Sequence, residues 1–250
     1  MPTESTIKLT AGDGHTFQAF RADPTETPKG AIVVLPDDND GPRRLRKVAD
    51  TFTASGYVVI TPELSAMAEP APDSEPSAAV PDPAERLLAE IQSTVDSVKE
   101  CGKVAVIGYG AGGGLAYDAA NRVSGLACAV SYYATGVVEA AGAKRKVPTL
   151  LHFGEADAVV PFPAVSMFRA HHPEVSAFSY PHAAHEFDGD GDTYDEAAAA
   201  LAQQRTLAWI SQYVVGQPPI SLKNAGAYAL AKVDKKKKKK ADDDMGPPME

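Results

Sequence analysis

The stretch from Val104 to Gly114, Val-Ala-Val-Ile-Gly-Tyr-Gly-Ala-Gly-Gly-Gly, constrains this chain more than any other. Residues 104–107 form a short apolar run rich in β-branched side chains, which reads as a buried strand. Glycines follow, and then residues 115–122, Leu-Ala-Tyr-Asp-Ala-Ala-Asn-Arg, read as a helix. Strand, tight glycine turn and helix make the G-x-Nuc-x-G frame of a nucleophile elbow, which presents its middle residue at the end of a strand. The frame stands as Gly108-Tyr109-Gly110-Ala111-Gly112. The middle position, where Ser or Cys belongs, is Gly110.

The remaining chain supplies the sheet that such a turn needs. Residues 7–10 and 16–21 flank the turn cluster Ala-Gly-Asp-Gly and read as an N-terminal β-hairpin. Residues 31–35 and 57–61 are continuous apolar runs, typical of strands covered on both faces. Between them, residues 43–55 carry Leu45, Val48, Ala49 and Phe52 near helical spacing, and Gly56 stops the helix. Residues 63–83 are rich in Pro, Ala, Ser and acid and read as a mobile excursion. Asp82-Pro83 then opens a helix with Leu87, Leu88, Ile91, Val95 and Val98 on one stripe. Later strands are expected at 126–133, 149–153 and 176–180, with helices at 164–170 and 196–213, the last burying Leu201, Leu207, Trp209 and Ile210. Alternating strands and helices imply an α/β architecture, a mostly parallel sheet with helices on both faces. Sites in such sheets form at the C-terminal ends of the strands.

Composition narrows the function classes. A net charge of −9 over 250 residues argues against nucleic-acid binding by the body of the protein. Two cysteines make no disulfide framework, and no signal peptide or membrane-spanning run is visible, so a cytoplasmic location is expected. Asp188-Gly-Asp-Gly-Asp192 has the start of a calcium loop, but Thr193 stands at the sharp-turn glycine position and Ala199 at that of the bidentate glutamate. No metal is expected. G-x-G-x-x-G fits at Gly108, Gly110 and Gly113, yet no acidic residue ends a following strand about 20 residues on, and no cofactor is expected.

Several stretches, in order, resemble the dienelactone hydrolase family, a compact branch of the α/β-hydrolases. They are residues 31–37 and 56–64 (first core strands), 108–113 (the elbow, G-x-C-x-G-G in the family), 131–133, 152–157 ahead of Val160-Pro161 (the acid loop) and 180–187 (the histidine loop). The resemblance spans roughly residues 7–213 and implies a three-layer αβα hydrolase domain over 1–215, with 216–250 as a C-terminal extension. Carried over residue by residue, Asp157 is the triad acid and His185 the general base. Asp37 matches the strand-end glutamate that interacts with the thiol. The backbone N–H groups of Ala111 and Asp38 form the oxyanion hole. A hydroxyl or thiol needs a base to take its proton, and the base needs an acid to fix its tautomer.

Three departures bear on activity. Gly110 has no side chain, so no acyl-enzyme can form there. The arginine expected four residues after the histidine is Gly189. Asp37, Asp38, Asp40, Asp188, Asp190 and Asp192 make an acidic mouth, which repels an anionic substrate such as dienelactone. An elbow holds its central residue in a strained conformation that glycine reaches without a Cβ clash, so glycine keeps the turn once a nucleophile is lost.

The remaining candidates have structural readings. Cys128 is expected as core filler, Cys101 as an idle thiol and His152 as a packed core histidine. His171 and His172 end a helix. His182 lines the pocket or lies on the surface. His185 and Asp157 themselves also fit a purely structural hydrogen-bonded pair. Lys235–Lys240, six consecutive lysines, reads as a solvated tail or as an arm for an acidic surface. Two functions follow. One is a non-catalytic structural or binding subunit of a larger assembly, cytoskeletal or other, joined through the domain surface and the tail. The other is a hydrolase of small neutral esters or lactones using Asp157, His185 and activated water.

Overall fold

The computed structural model describes residues 3–64, 82–138 and 145–216. Their order is β1 (Thr3–Thr10), β2 (Thr16–Asp23), β3 (Ala31–Leu35), α1 (Pro42–Ala54), β4 (Val58–Pro62), α2 (Pro83–Asp96), β5 (Val104–Tyr109), α3 (Gly110–Arg122), β6 (Leu126–Tyr132), β7 (Thr149–Gly154), α4 (Phe162–His171), β8 (Ser176–Tyr180) and α5 (Glu196–Ile210). The eight strands form one sheet in the order β1-β2-β4-β3-β5-β6-β7-β8. The β1–β2 hairpin is antiparallel and joins β4 antiparallel, while β3 to β8 run parallel.

The central strands are apolar throughout because both of their faces are covered. Along β3, Ile32 and Val34 pack beneath Ala49 and Phe52 of α1 and Ala202 and Ile210 of α5. Ala31, Val33 and Leu35 face Ile91 and Val95 of α2 and Ala116, Ala119 and Ala120 of α3. The alternation follows from the period-2 side-chain geometry of a strand. Tyr117 of α3 joins Val165 and Phe168 of α4 in a third cluster.

Caps set the helix starts. Pro83 occupies the first turn of α2, and the Asp82 side chain accepts a hydrogen bond from the Ala84 N–H at 3.2 Å. Asp195 caps α5 in the same way through the Ala198 N–H at 2.9 Å. The inward face of α5 differs from the expected one. Its buried residues are Ala198, Ala202, Thr206 and Ile210, an i, i+4 row of mostly small side chains that lets the helix lie close on the sheet. Leu207 and Trp209 are partly buried, and Leu201 lies outside at 41 % exposure. Of the excursion expected at 63–83, residues 65–81 lie outside the described residues, as do 217–250 with the lysine run. Leu64 is buried. Among the described residues no helix is long and apolar enough to cross a membrane.

Candidate active site

Parallel strands deliver four loops to one edge of the sheet. Asp37 follows β3, Gly110 follows β5, Asp157 follows β7 and His185 follows β8. In the parallel register Leu35 pairs with Gly108, so the loop after β3 lies beside the elbow although 74 residues separate Asp37 from Ala111. Topology therefore assembles the residues, as expected for a parallel α/β sheet.

The acid–base pair is formed. His185 Nδ1 lies 2.8 Å from Asp157 Oδ2. The other carboxylate oxygen of Asp157 accepts the N–H groups of Val159 at 2.7 Å and Val160 at 2.9 Å. The Asp157 side chain is fully buried, so its charge needs these three donors. A carboxylate accepts, so in the neutral ring this bond places the proton on Nδ1 and leaves Nε2 as the free acceptor. Burial lowers the His185 pKa, but its hydrogen bond and charge pairing with Asp157, helped by Asp37 and Glu186, raise it above the ordinary histidine value. The His185 ring keeps 18 % exposure and packs edge-on against Tyr133 at 4.9 Å.

The turn after β5 places Gly110, which has no side chain, at its centre. Gly110 sits at φ +50°, in the left-handed region. A Cβ placed there would fall on the carboxyl group of Asp37. Gly108 and Gly112 are fixed by packing instead: a Cβ on either would meet backbone, of Gly112 and Gly113 for the former and of Leu35 and Pro36 for the latter.

Asp37 has taken over the space. Its Oδ1 accepts the Ala111 N–H and the Asp38 N–H, both at 2.9 Å. These are the two donors expected for the oxyanion hole, and they converge on an internal carboxylate oxygen. A side chain at 110 and the Asp37 carboxyl would compete for the same volume, so the glycine leaves room for the carboxyl.

The acidic mouth is partly neutralised, a correction to the reading from charge alone. Arg44 of α1 is mostly buried and pairs with Asp40 at 2.6 Å and with Asp188 at 2.9 Å. It also donates to the Tyr133 hydroxyl at 2.8 Å and the Asp188 carbonyl at 2.9 Å. Burial alone would lower the Arg44 pKa, but Asp188, Tyr133 and Asp40 hold it raised and the side chain charged. Burial raises the Asp40 carboxyl. Lys47 pairs with Asp190 at 2.6 Å. Arg44 carried no signal as a site residue, because an arginine on a helix reads as solvated surface. It ties the loop after β3 to the histidine loop.

Among the described residues one group of donors could hold a metal ion: Asp37, His185 and Glu186, whose donor atoms lie within 4.8 Å of one another. The fragment 188–192 contributes none of them. The remaining histidines and cysteines take structural places. His152 is fully buried, with Nδ1 2.7 Å from the Tyr180 hydroxyl and Nε2 3.0 Å from Thr206 Oγ1. Burial, helped by Arg205, lowers its pKa to about 3. His182 is exposed, and His171 Nδ1 lies 2.8 Å from the Met167 carbonyl. Cys128 is buried in β6, which pushes its thiol up to about 12, and Cys101 lies 3.6 Å from Arg21.

Comparison with known proteins follows the same lines. The sequence model of the dienelactone hydrolase family matches residues 17–214. The chain is 28 % identical over 224 residues to "Carboxymethylenebutenolidase 1" of Cupriavidus pinatubonensis, covering 80 % of this chain and 94 % of that protein. It is 27 % identical over 229 residues to the carboxymethylenebutenolidase of Pseudomonas putida, covering 82 % and 95 %. Among solved structures, a candidate dienelactone hydrolase from Klebsiella pneumoniae superposes with a TM-score of 0.69 at 21 % identity, over 84 % of this chain and 100 % of that one. An esterase from Pyrococcus furiosus superposes at 0.64 and 14 % identity, over 85 % and 94 %. With an α/β-hydrolase sheet, a formed Asp157–His185 pair and a match running from β2 to the residues after α5, the chain belongs to the dienelactone hydrolase family.

Proposed function

We propose that this chain is a hydrolase of small neutral molecules in which His185, oriented by Asp157, activates water without an acyl-enzyme on the elbow. The observation that supports this most is the Asp157–His185 pair itself. A fully buried carboxylate bound by two backbone N–H groups is aimed at one histidine nitrogen, and the ring is half-buried at the mouth with part of its surface open to solvent. A base poised above the ordinary histidine value takes a proton from water once it is deprotonated. Neutral esters and lactones suit a mouth that keeps Asp37 and Glu186 beside the base.

The carboxylate in the oxyanion hole limits the rate on carbonyl substrates, because the two N–H groups are already engaged. Hydrolysis of p-nitrophenyl acetate by the unaltered chain is expected at a low, His185-dependent level, below the roughly 10³-fold over water that a free oxyanion hole and binding supply without a triad. His185→Ala is expected to abolish it. Turnover that survives His185→Ala would overturn the reading.

The same filled hole favours a second reading, a non-catalytic member of the family held in an assembly through its surface and the Lys235–Lys240 arm. Absence of any His185-dependent turnover, together with co-migration in a larger complex that a chain ending at Gly216 fails to join, would establish it.

A further inference from the structure

We propose that Asp37 is a carboxylate nucleophile that has replaced the elbow residue, and that the site hydrolyses neutral alkyl compounds with an anionic leaving group, haloalkanes in the first place. The inference rests on His185 as the water-activating base and adds a covalent step to it.

Three placements converge on Asp37. Its carboxyl group occupies the volume that a side chain at position 110 would fill, which is where the family carries its nucleophile. Its donor atom lies within 4.8 Å of that of His185, close enough for one water molecule to bridge acid and base. Its Oδ1 is held by the Ala111 and Asp38 N–H groups, while among the described residues no hydrogen bond reaches Oδ2. One oxygen is fixed and the other is available. Asp37 also lines a cavity of about 440 Å³ whose walls combine Phe20, Leu45 and Leu64 with Asp38, Asp40, Arg46 and Glu63, so an alkyl chain would lie along the apolar side while His185 stays outside the cavity, next to Asp37.

The chemistry follows from that division of roles. Oδ2 attacks the saturated carbon, a C–O bond forms, and the carbon–halogen bond breaks with its electron pair leaving on the halide. The product is an alkyl ester of Asp37. His185 then takes a proton from water, and the hydroxide attacks Cγ. The electron pair of the Cγ=Oδ1 bond moves onto Oδ1, the atom the two N–H groups already hold, so the hole stabilises the charge as it develops. Collapse restores the Cγ=Oδ1 bond and breaks the Cγ–Oδ2 bond. The departing alkoxide takes the proton from His185 and leaves as the alcohol. The new carboxylic acid loses its proton to solvent. The sum is haloalkane plus water giving alcohol, halide and a proton. The hole that looks blocked for an ester substrate is, for an ester of Asp37, correctly loaded.

The test uses the full chain with 1-bromohexane as probe. His185→Gln is expected to accumulate a hexyl adduct that peptide mass spectrometry places on Asp37. Asp37→Asn is expected to lose both the adduct and bromide release. In a single turnover in water labelled with oxygen-18, the label is expected in Asp37 and not in the hexanol. An adduct only on cysteine or histidine, or label appearing in the alcohol, would overturn the proposal. The two readings separate cleanly. If p-nitrophenyl acetate is hydrolysed through His185 and survives Asp37→Asn while no bromide is released, the hydrolase reading stands and the Asp37 step falls. If neither substrate responds to His185→Ala, both fall.

Discussion

At the scale of single residues, Gly110 and Asp37 are best understood together. The left-handed φ at 110 would cost a non-glycine residue about 1–2 kcal/mol. A Cβ would also have to displace a carboxylate held by two N–H groups. Gly110→Ala is therefore expected to destabilise the chain, and to do so less in an Asp37→Gly background. A coupling of about 0.5–3 kcal/mol is expected from urea denaturation of the four chains in the cycle. Simple additivity would contradict shared occupancy. The same geometry makes Gly110→Cys alone a poor route to a restored esterase. Two histidines give opposite pH dependences. The raised pKa of His185, faced by Asp157, Asp37, Glu186 and Tyr133, adds stability that is full below the unfolded histidine value and is lost as pH rises through the folded one. His152, lowered from 6.5 to about 3 among Tyr132, Tyr180, Phe178, Thr206 and Arg205, adds stability present above 6.5 and lost as pH falls toward 3. In His152→Phe the loss of stability between pH 6.5 and 3 is expected to be shallower. An unchanged acid slope would contradict a neutral, buried His152.

Among elements, α1 and the loop after β8 are held together by the nearly buried Arg44, with the exposed Lys47–Asp190 pair beside it. Arg44 and Asp40 have side chains 12 % and 8 % exposed, so breaking this group leaves nearly buried carboxylates unpaired. Arg44→Met is expected to cost about 3–5 kcal/mol in chemical denaturation and to lower His185-dependent activity, because the histidine loop loses its tie to α1. A change under about 1 kcal/mol would show a surface pair of ordinary weakness. This element also shows what a sequence exposes and what it hides. The strand, turn and helix around Gly110 are legible because glycine spacing and β-branched runs act locally. Asp157 and His185 are legible through the resemblance of residues 152–157 and 180–187 to the acid and histidine loops of the family, each following a recognisable strand. The placement of Asp37 on the Ala111 N–H is not, since it depends on the parallel register of β3 with β5 across 74 residues. Arg44 is hidden for the same reason: its partners Tyr133 and Asp188 lie 89 and 144 residues away. Leu201 of α5 faces outward against the hydrophobic pattern, because small residues rather than large ones set how closely the helix approaches the sheet.

Across the whole molecule, the eight-stranded sheet is that of an α/β-hydrolase and the chain belongs to the dienelactone hydrolase family, with Gly110 at the turn after β5 and Asp37 against it. Charge around that turn is partly offset by Arg44 and Lys47, while the chain carries −9 overall. What the fold delivers to the mouth is His185, the Asp157 carboxylate bonded to it and an Asp37 carboxylate bound by the Ala111 and Asp38 N–H groups. The most direct measurement is the pH–rate profile of p-nitrophenyl acetate hydrolysis by the unaltered chain beside His185→Ala. A rate that rises with pH through a single ionisation above the ordinary histidine value, and that vanishes in His185→Ala, is the predicted result. A rate indistinguishable from buffer at every pH, or one that His185→Ala leaves intact, would contradict a working base at this site.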